Sequence, residues 1–203
     1  AVAGTLNISD VTTGSSIVTL SGAGTVTLGS KLLTITNGSK TFSGAIGGTG
    51  GLTVSGGNQT LSGANTYSGV TTINSSRTLT LTGSGAIASS SQIAVAGTLN
   101  ISDVTTGSSI VTLSGAGTVT LGGKLLTITN GSTTFSGAIG GTGGLTVSGG
   151  TQTLSGANTY SGVTTINSGR TLTLTGSGAI ASSSEVAVAG TLNISDVTTG
   201  SSI

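Results

Sequence analysis

LSGANTYSGVTTINSSRTLTLTGSGAI, from Leu61 to Ile87, returns almost unchanged from Leu154 to Ile180. Within it Thr78-Leu79-Thr80-Leu81-Thr82 alternates strictly, so an extended chain turns both leucines to one face and three threonines to the other. That predicts a half-buried strand. Ahead of it, Ser62 to Gly69 is a run of small and turn-forming residues; a short strand, Val70 to Ile73, and a polar turn at Asn74-Ser75-Ser76 follow. Short strands separated by turns of this kind suit a β-solenoid, in which the chain winds and each coil pairs with the next.

Working outward, AVAGTLNISDVTTGSSI begins at Ala1, Ala94 and Ala187, which sets a period of 93 residues. The chain divides into unit 1 (1–93), unit 2 (94–186) and the start of unit 3 (187–203), read as one continuous solenoid. The two full copies differ at six pairs of positions: Ser30/Gly123, Lys40/Thr133, Asn58/Thr151, Ser76/Gly169, Gln92/Glu185 and Ile93/Val186. Five are polar or turn positions and the sixth is an aliphatic exchange, the pattern of change on the outside of a coil. Strands are expected near Thr5–Ser9, Ile17–Leu20, Thr25–Leu28, Leu32–Thr36, Thr41–Ile46, Leu52–Val54, Gln59–Leu61, Val70–Ile73, Thr78–Thr82 and Ile93–Ala96. The fold class is therefore all-β, a parallel β-helix with three short strands per coil. Coils of roughly 20 to 25 residues give about four per unit. Asn37-Gly38 is also a hairpin signal, which keeps an antiparallel sandwich as the minor alternative.

The run LSGANTYSGVTTIN, with GGLTVSGG upstream at Gly50 to Gly57 and TLTLTGSGAI downstream, resembles the autotransporter-associated β-strand repeat of bacterial surface-protein passenger regions. The core motif occurs twice and spans about a third of the chain directly. The resemblance implies a secreted, right-handed parallel β-helix that stands off the cell as an adhesin or surface fibre. It names no ligand.

Composition narrows the chemistry. The chain has no His, Cys, Pro, Met or Trp, 38 glycines and only 4% charged residues, which is far from an ordinary globular enzyme. Two Phe and two Tyr starve a thick core, whereas a narrow one of Val, Ile and Leu is well supplied. The hydrophobic share, 34%, is too high and too regular for a Gly/Ser linker. Lys31, Lys40, Arg77, Lys124 and Arg170 are scattered singly against Asp10, Asp103, Glu185 and Asp196, so no basic patch points to nucleic acid. Lack of cysteine fits secretion through membranes. No run approaches the 18 apolar residues of a membrane-spanning helix, and four aromatics do not furnish the girdles of a membrane barrel.

No catalytic, cofactor-binding or metal-binding residue emerges. Asp10, Asp103 and Asp196 supply one carboxylate per 93 residues and read as turn formers. Four acids are too sparse for a catalytic pair, and without His there is no Ser/His/Asp triad; a Ser/Lys pair stays open. Gly47-Gly48-Thr49-Gly50-Gly51 lacks the Lys-Ser/Thr ending of a phosphate loop and reads as a tight corner. Phe42, Phe135, Tyr67 and Tyr160 read as core or corner fillers ahead of sugar-stacking groups. Asn7-Ile8-Ser9 and Asn37-Gly38-Ser39 satisfy N-x-[ST], as chance allows in so Ser/Thr-rich a chain. Thr25-Val26-Thr27, Thr34-Ile35-Thr36 and Thr78 to Thr82 resemble the threonine faces of β-solenoid antifreeze proteins. Their uneven sequence spacing counts against such a face, and β-propensity accounts for the threonines.

The expected function is that of a structural, non-enzymatic, repetitive bacterial cell-surface or extracellular protein: an adhesin shaft or biofilm fibre, self-associating end to end. Alternatives are a ligand-binding adhesin module for a glycan or host surface and an ice-binding solenoid. The expected partners are the protein itself, by head-to-tail continuation or as a filament, and a host or neighbouring cell surface; no nucleic acid, no cofactor and no membrane span are expected. Ordinary repeat sequence at both ends is expected of a piece from a longer array.

Overall fold

The pattern of the strand Thr78–Gly83 holds throughout. Leu79 and Leu81 are buried and the threonines between them face outward, and the same alternation buries Leu33 and Ile35, Leu52 and Val54, and Leu126 and Ile128. The computed structural model describes residues 1–198; residues 199–203, the end of the expected third unit, lie outside the described residues. The chain winds through about ten turns of parallel β-solenoid, with no helix among the described residues. The strands lie on three sides of the stack, although the coils that run through 62–70 and 155–163 carry strands on only two, a correction to the expected three per coil. Each strand pairs with one in an adjacent coil: Thr5 with Thr25 and Thr25 with Ala45, Ser15 with Leu33 and Leu33 with Leu52, Thr78 with Thr98 and Thr98 with Thr118.

The core is a single narrow column of Val, Leu and Ile, joined by Phe42, Phe135, Tyr67 and Tyr160, all fully or almost fully buried. A stack of this kind needs every coil to be covered by the next. Val95 and Ile101 are completely buried, whereas Val188 and Ile194, the same residues one copy on in the last described coils, are 49% and 38% exposed. The sequence is the same; only the neighbouring coil differs.

Three expectations are corrected. The segment Thr41–Ile46 is two strands, Thr41–Phe42 and Ala45–Gly47, because the chain turns a corner at Ser43-Gly44. The strand expected at Ile17–Leu20 lies at Ser15–Ile17. Asn37-Gly38 makes no hairpin: Gly38 forms a parallel bridge to Gly57, and all strand pairs among the described residues are parallel.

The coils are also shorter than expected, and unequal. Ser15, Leu33, Leu52, Thr71 and Ile93 succeed one another on one side. Side chains that bond to the adjacent coil accordingly find partners between 18 and 22 positions away in sequence. On another side Thr41, Thr60, Thr80, Asn100, Thr120 and Gly140 are stacked in register, one to each coil. The counterpart of Thr41 in the second copy is Thr134, which falls about two-thirds of the way from Thr120 to Gly140. One copy therefore exceeds four coils by about two-thirds of a coil. In consequence, equivalent segments of the two copies occupy different sheets. Thr41–Phe42, Asn58–Leu61 and Thr78–Gly83 share a sheet with Thr98–Val104, Thr118–Gly122 and Ala138–Gly141, whereas their own counterparts, Thr134–Phe135, Thr151–Leu154 and Thr171–Gly176, form another with Thr191–Val197.

Candidate functional site

The inward polar residues are the first feature that alternation alone does not explain. Gln59 and Asn65 sit at core positions, 0% and 4% exposed, and both span coils. Asn65 Oδ1 accepts from the Ile46 N–H at 3.1 Å while its Nδ2 donates to the carbonyls of Gly63 at 2.9 Å and Ala86 at 3.0 Å. Gln59 Nε2 donates to the carbonyls of Leu20, Lys40 and Thr60, at 3.2, 2.9 and 2.9 Å. Asn158 and Gln152 repeat both arrangements in the second copy. These amides link three successive coils where the corner chain leaves backbone groups without a ladder partner.

Beside them runs a buried hydroxyl chain. Tyr67 Oη lies 2.7 Å from Thr71 Oγ1, which lies 2.9 Å from Ser90 Oγ, and Ser90 Oγ donates to the carbonyls of Gly69 and Gln92. Carbonyl oxygens only accept, so the protons run one way: Ser90 donates to a carbonyl, Thr71 to Ser90, and Tyr67 to Thr71. Tyr160, Thr164 and Ser183 repeat the chain. Burial raises both phenols above the usual tyrosine value, Tyr160 to about 12 and Tyr67 in the same direction. Both phenols are interior groups whose burial favours the protonated form.

The residues singled out for chemistry are dispersed. Asp10, Asp103 and Asp196 are exposed in separate coils. Asp10 sits in a turn and accepts from the Ser9 hydroxyl at 3.0 Å, whereas Asp103 and Asp196 lie within the strands Thr98–Val104 and Thr191–Val197, just past the bulge, which corrects the turn-former expectation for those two. Among the described residues no three His, Cys, Asp or Glu side chains gather, and no pocket opens. In the segment Gly47–Gly51 the N–H groups of Thr49 and Gly50 both donate to the Gly29 carbonyl, so the backbone donors that would cradle a phosphate are occupied within the stack. Lys31 and Lys124 reach backbone carbonyls of Thr12 and Thr105 at 3.5 Å. All four aromatics are buried, which removes them from any stacking surface.

The outer strand faces hold the second feature. On the sheet that includes Thr78–Gly83, two outward ranks run parallel to the stack. The first is Asn58, Thr78, Thr98 and Thr118; the second is Thr60, Thr80, Asn100 and Thr120. Each row is an i, i+2 pair and the rows are in register. The sheet that includes Thr171–Gly176 repeats the arrangement with Thr151, Thr171 and Thr191 beside Thr153, Thr173 and Asn193. The threonine stretches noted in the sequence, at Thr25, Thr34 and Thr78, lie in three different sheets and do not align with one another; the ranks form instead because the winding makes neighbours of Thr78 and Thr98, a full coil apart along the chain. No charged residue occupies either rank.

The comparisons fall on the polar stitches. Residues 56–75 and 149–174 match the passenger-associated-transport-repeat family. The chain carries this repeat twice. The matched segments cover under a quarter of the chain, and they contain Gln59, Asn65, Tyr67 and Thr71 and the counterparts of all four. The passenger-associated-transport repeat is thus, in this chain, the coil in which side-chain amides and hydroxyls hold corner backbone that no sheet serves. No curated protein and no solved structure matches the chain.

Sequence reasoning missed these stitches. Gln59 could have been found from alternation, since Gln59 and Leu61 fall on the same face of Asn58–Leu61. Thr71 and Ser90 carried no such signal, because every neighbour is equally small and polar.

Proposed function

We propose that this chain is a non-enzymatic shaft segment of a secreted bacterial surface protein, built to hold a terminal element at a distance from the cell. The observation that supports the reading most directly is the unbroken stack itself, with the passenger-associated-transport repeat at the same place in each copy. About ten coils at about 4.8 Å each give a rod roughly 48 Å long. Backbone hydrogen bonds run along its axis, so a pull between its ends loads many parallel bonds in series with a continuous aliphatic core. The two outward ranks of the sheet that includes Thr78–Gly83 are uncharged and mostly hydroxylated, which keeps such a rod wetted without specifying a ligand.

Self-association is the partner reading that goes with the shaft. One coil joins the next through short parallel strands, as Thr78 with Thr98 and Thr98 with Thr118, and a second copy can extend a stack through the same pairing. Electron microscopy of the purified chain across concentration tests both statements. Rods of the stated length support the shaft, and filaments lengthening with concentration add end-to-end assembly. Compact particles overturn the shaft. Specific glycan or host-cell binding abolished by one surface substitution moves the function to that of a ligand-binding module.

A further inference from the structure

We infer that the two-rank threonine plane is a recognition surface for crystalline ice. Four properties of the plane converge on an uncharged, regularly repeating solid as its partner. The first is periodicity. In-register parallel pairing places the rows about 4.8 Å apart, and the i, i+2 spacing places the two ranks about 6.7 Å apart. Such a mesh is close to the repeat of water oxygens on ice faces, and four rows in register extend it along the rod.

The second property is hydrogen-bonding state. Threonines and serines at the corners use their hydroxyls internally: Thr36 donates to the Ile17 carbonyl, Thr49 to that of Gly29 and Thr129 to that of Ile110. Thr78, Thr80, Thr98, Thr118 and Thr120 make no such bond to the described residues, so their hydroxyls are left for water. Threonine is also stiff at χ1, so hydroxyl and methyl positions are fixed by the backbone before anything binds, and little side-chain freedom is lost on contact.

The third property is charge. Lys40, Arg77 and Asp103 border the plane at the corner and beyond the bulge that follows Thr80, and none lies in a rank. A charged partner therefore meets no complementary charge, whereas a neutral lattice meets no ion that would have to be desolvated against it. The fourth is the absence of exposed aromatics. Phe42, Phe135, Tyr67 and Tyr160 are interior, so a polysaccharide surface has no ring to stack upon. Methyl groups that order adjacent water, alternating with hydroxyls that bond to it, suit ice.

The plane differs from the outward file on the side that includes Leu52–Val54. Ser16, Thr34, Thr53 and Thr72 form a single in-register file, whose flanking Thr36 and Ser55 hydroxyls donate to backbone carbonyls. That contrast supplies the control. The measurement is the partition of the purified chain into a slowly growing ice surface, together with ice-crystal shaping under the microscope. The double variant Thr80→Lys, Thr173→Lys interrupts the rank that includes Thr60 and Thr80 and its counterpart with Thr153 and Thr173, and Thr53→Lys, Thr146→Lys makes the same change in single files. Both pairs face outward, and a cooperative thermal transition verifies that each variant is folded. The unmodified chain is expected to enter ice and shape it; the first variant loses about tenfold or more of the partition, and the second stays near the unmodified chain. Exclusion of the unmodified chain from ice overturns the assignment, as does an equal loss in both variants. A Thr80→Lys, Thr173→Lys change in self-association without a change in ice partition also overturns it, and assigns the plane to contact between copies. None of these outcomes depends on the shaft reading, which concerns length and assembly.

Discussion

Asn65 ties three coils with one side chain, and its removal exposes what a buried polar group is worth here. Asn65→Ala leaves the Ile46 N–H without the Asn65 Oδ1 that it donates to, while the Ala86 carbonyl keeps the backbone N–H of residue 65. A loss of about 1–3 kcal/mol is expected, against a change within about 0.5 kcal/mol for Thr66→Ala, one residue on and exposed. Urea unfolding of both variants checks this, and equal midpoints would remove Asn65 from the framework. The tyrosines give a second handle. Burial holds their protons, so the folded state binds protons more tightly than the unfolded state, where tyrosine titrates near 10. A raised folded value means that stability is constant below 10 and falls as pH rises from 10 towards 12. Absorbance titration should show no tyrosinate in the folded chain at a pH where the urea-unfolded chain is already ionised. Native ionisation near 10 would contradict the buried hydroxyl chain.

At the scale of the strand and its corner, glycine has two different jobs that substitution separates. At Gly44 the backbone is ordinary, but an added Cβ would fall on the Gly24 carbonyl of the coil below and 2.7 Å from the Phe42 ring. At Gly83 nothing lies within 4 Å of the added atom, and only the left-handed φ of 58° resists a side chain. Gly83→Ala is expected to cost about 1–2 kcal/mol, and Gly44→Ala about 3 kcal/mol or more, because coils cannot part locally without losing their ladder. Thermal midpoints measured on the two variants rank them, and the reverse order would mean that the corners are looser than the stack indicates. The same contrast explains what was legible in the sequence. Thr78–Gly83 and Leu52–Val54 could be placed from alternation because Leu and Thr differ sharply in polarity. The break inside Thr41–Ile46 could not, since the close approach that demands Gly44 involves Gly24, a full coil away along the chain. Unequal coil lengths hid the threonine plane for the same reason: the corners that set register are mostly glycine, serine and asparagine, and they carry no count of their own.

For the whole molecule the decisive quantity is the mismatch between a copy and its coils. Four coils take the chain from Thr41 to Thr120, and the copy closes only at Thr134, about two-thirds of the way round to Gly140, so each copy repeats its predecessor turned to another side. The sheets record this directly, for Leu33–Ile35 and Leu126–Ile128 are equivalent in sequence and lie in different sheets. A rod with an integral number of coils per copy would carry each feature as a stripe along one side. This one distributes every feature, including the threonine plane and the stitched corners, over all three sides, and no face of a long array is privileged. The rise per copy is about 22 Å from 4⅔ coils of about 4.8 Å, and the same side returns only after three copies, about 67 Å on. A concatenated array of six copies bearing one cysteine per copy at the Thr53 position, tagged with gold and imaged in vitreous ice, tests the screw. Labels should advance around the rod, with those on any one side about 67 Å apart. A single file of labels about 22 Å apart would show that the copies stack in phase and that the two-thirds turn is wrong.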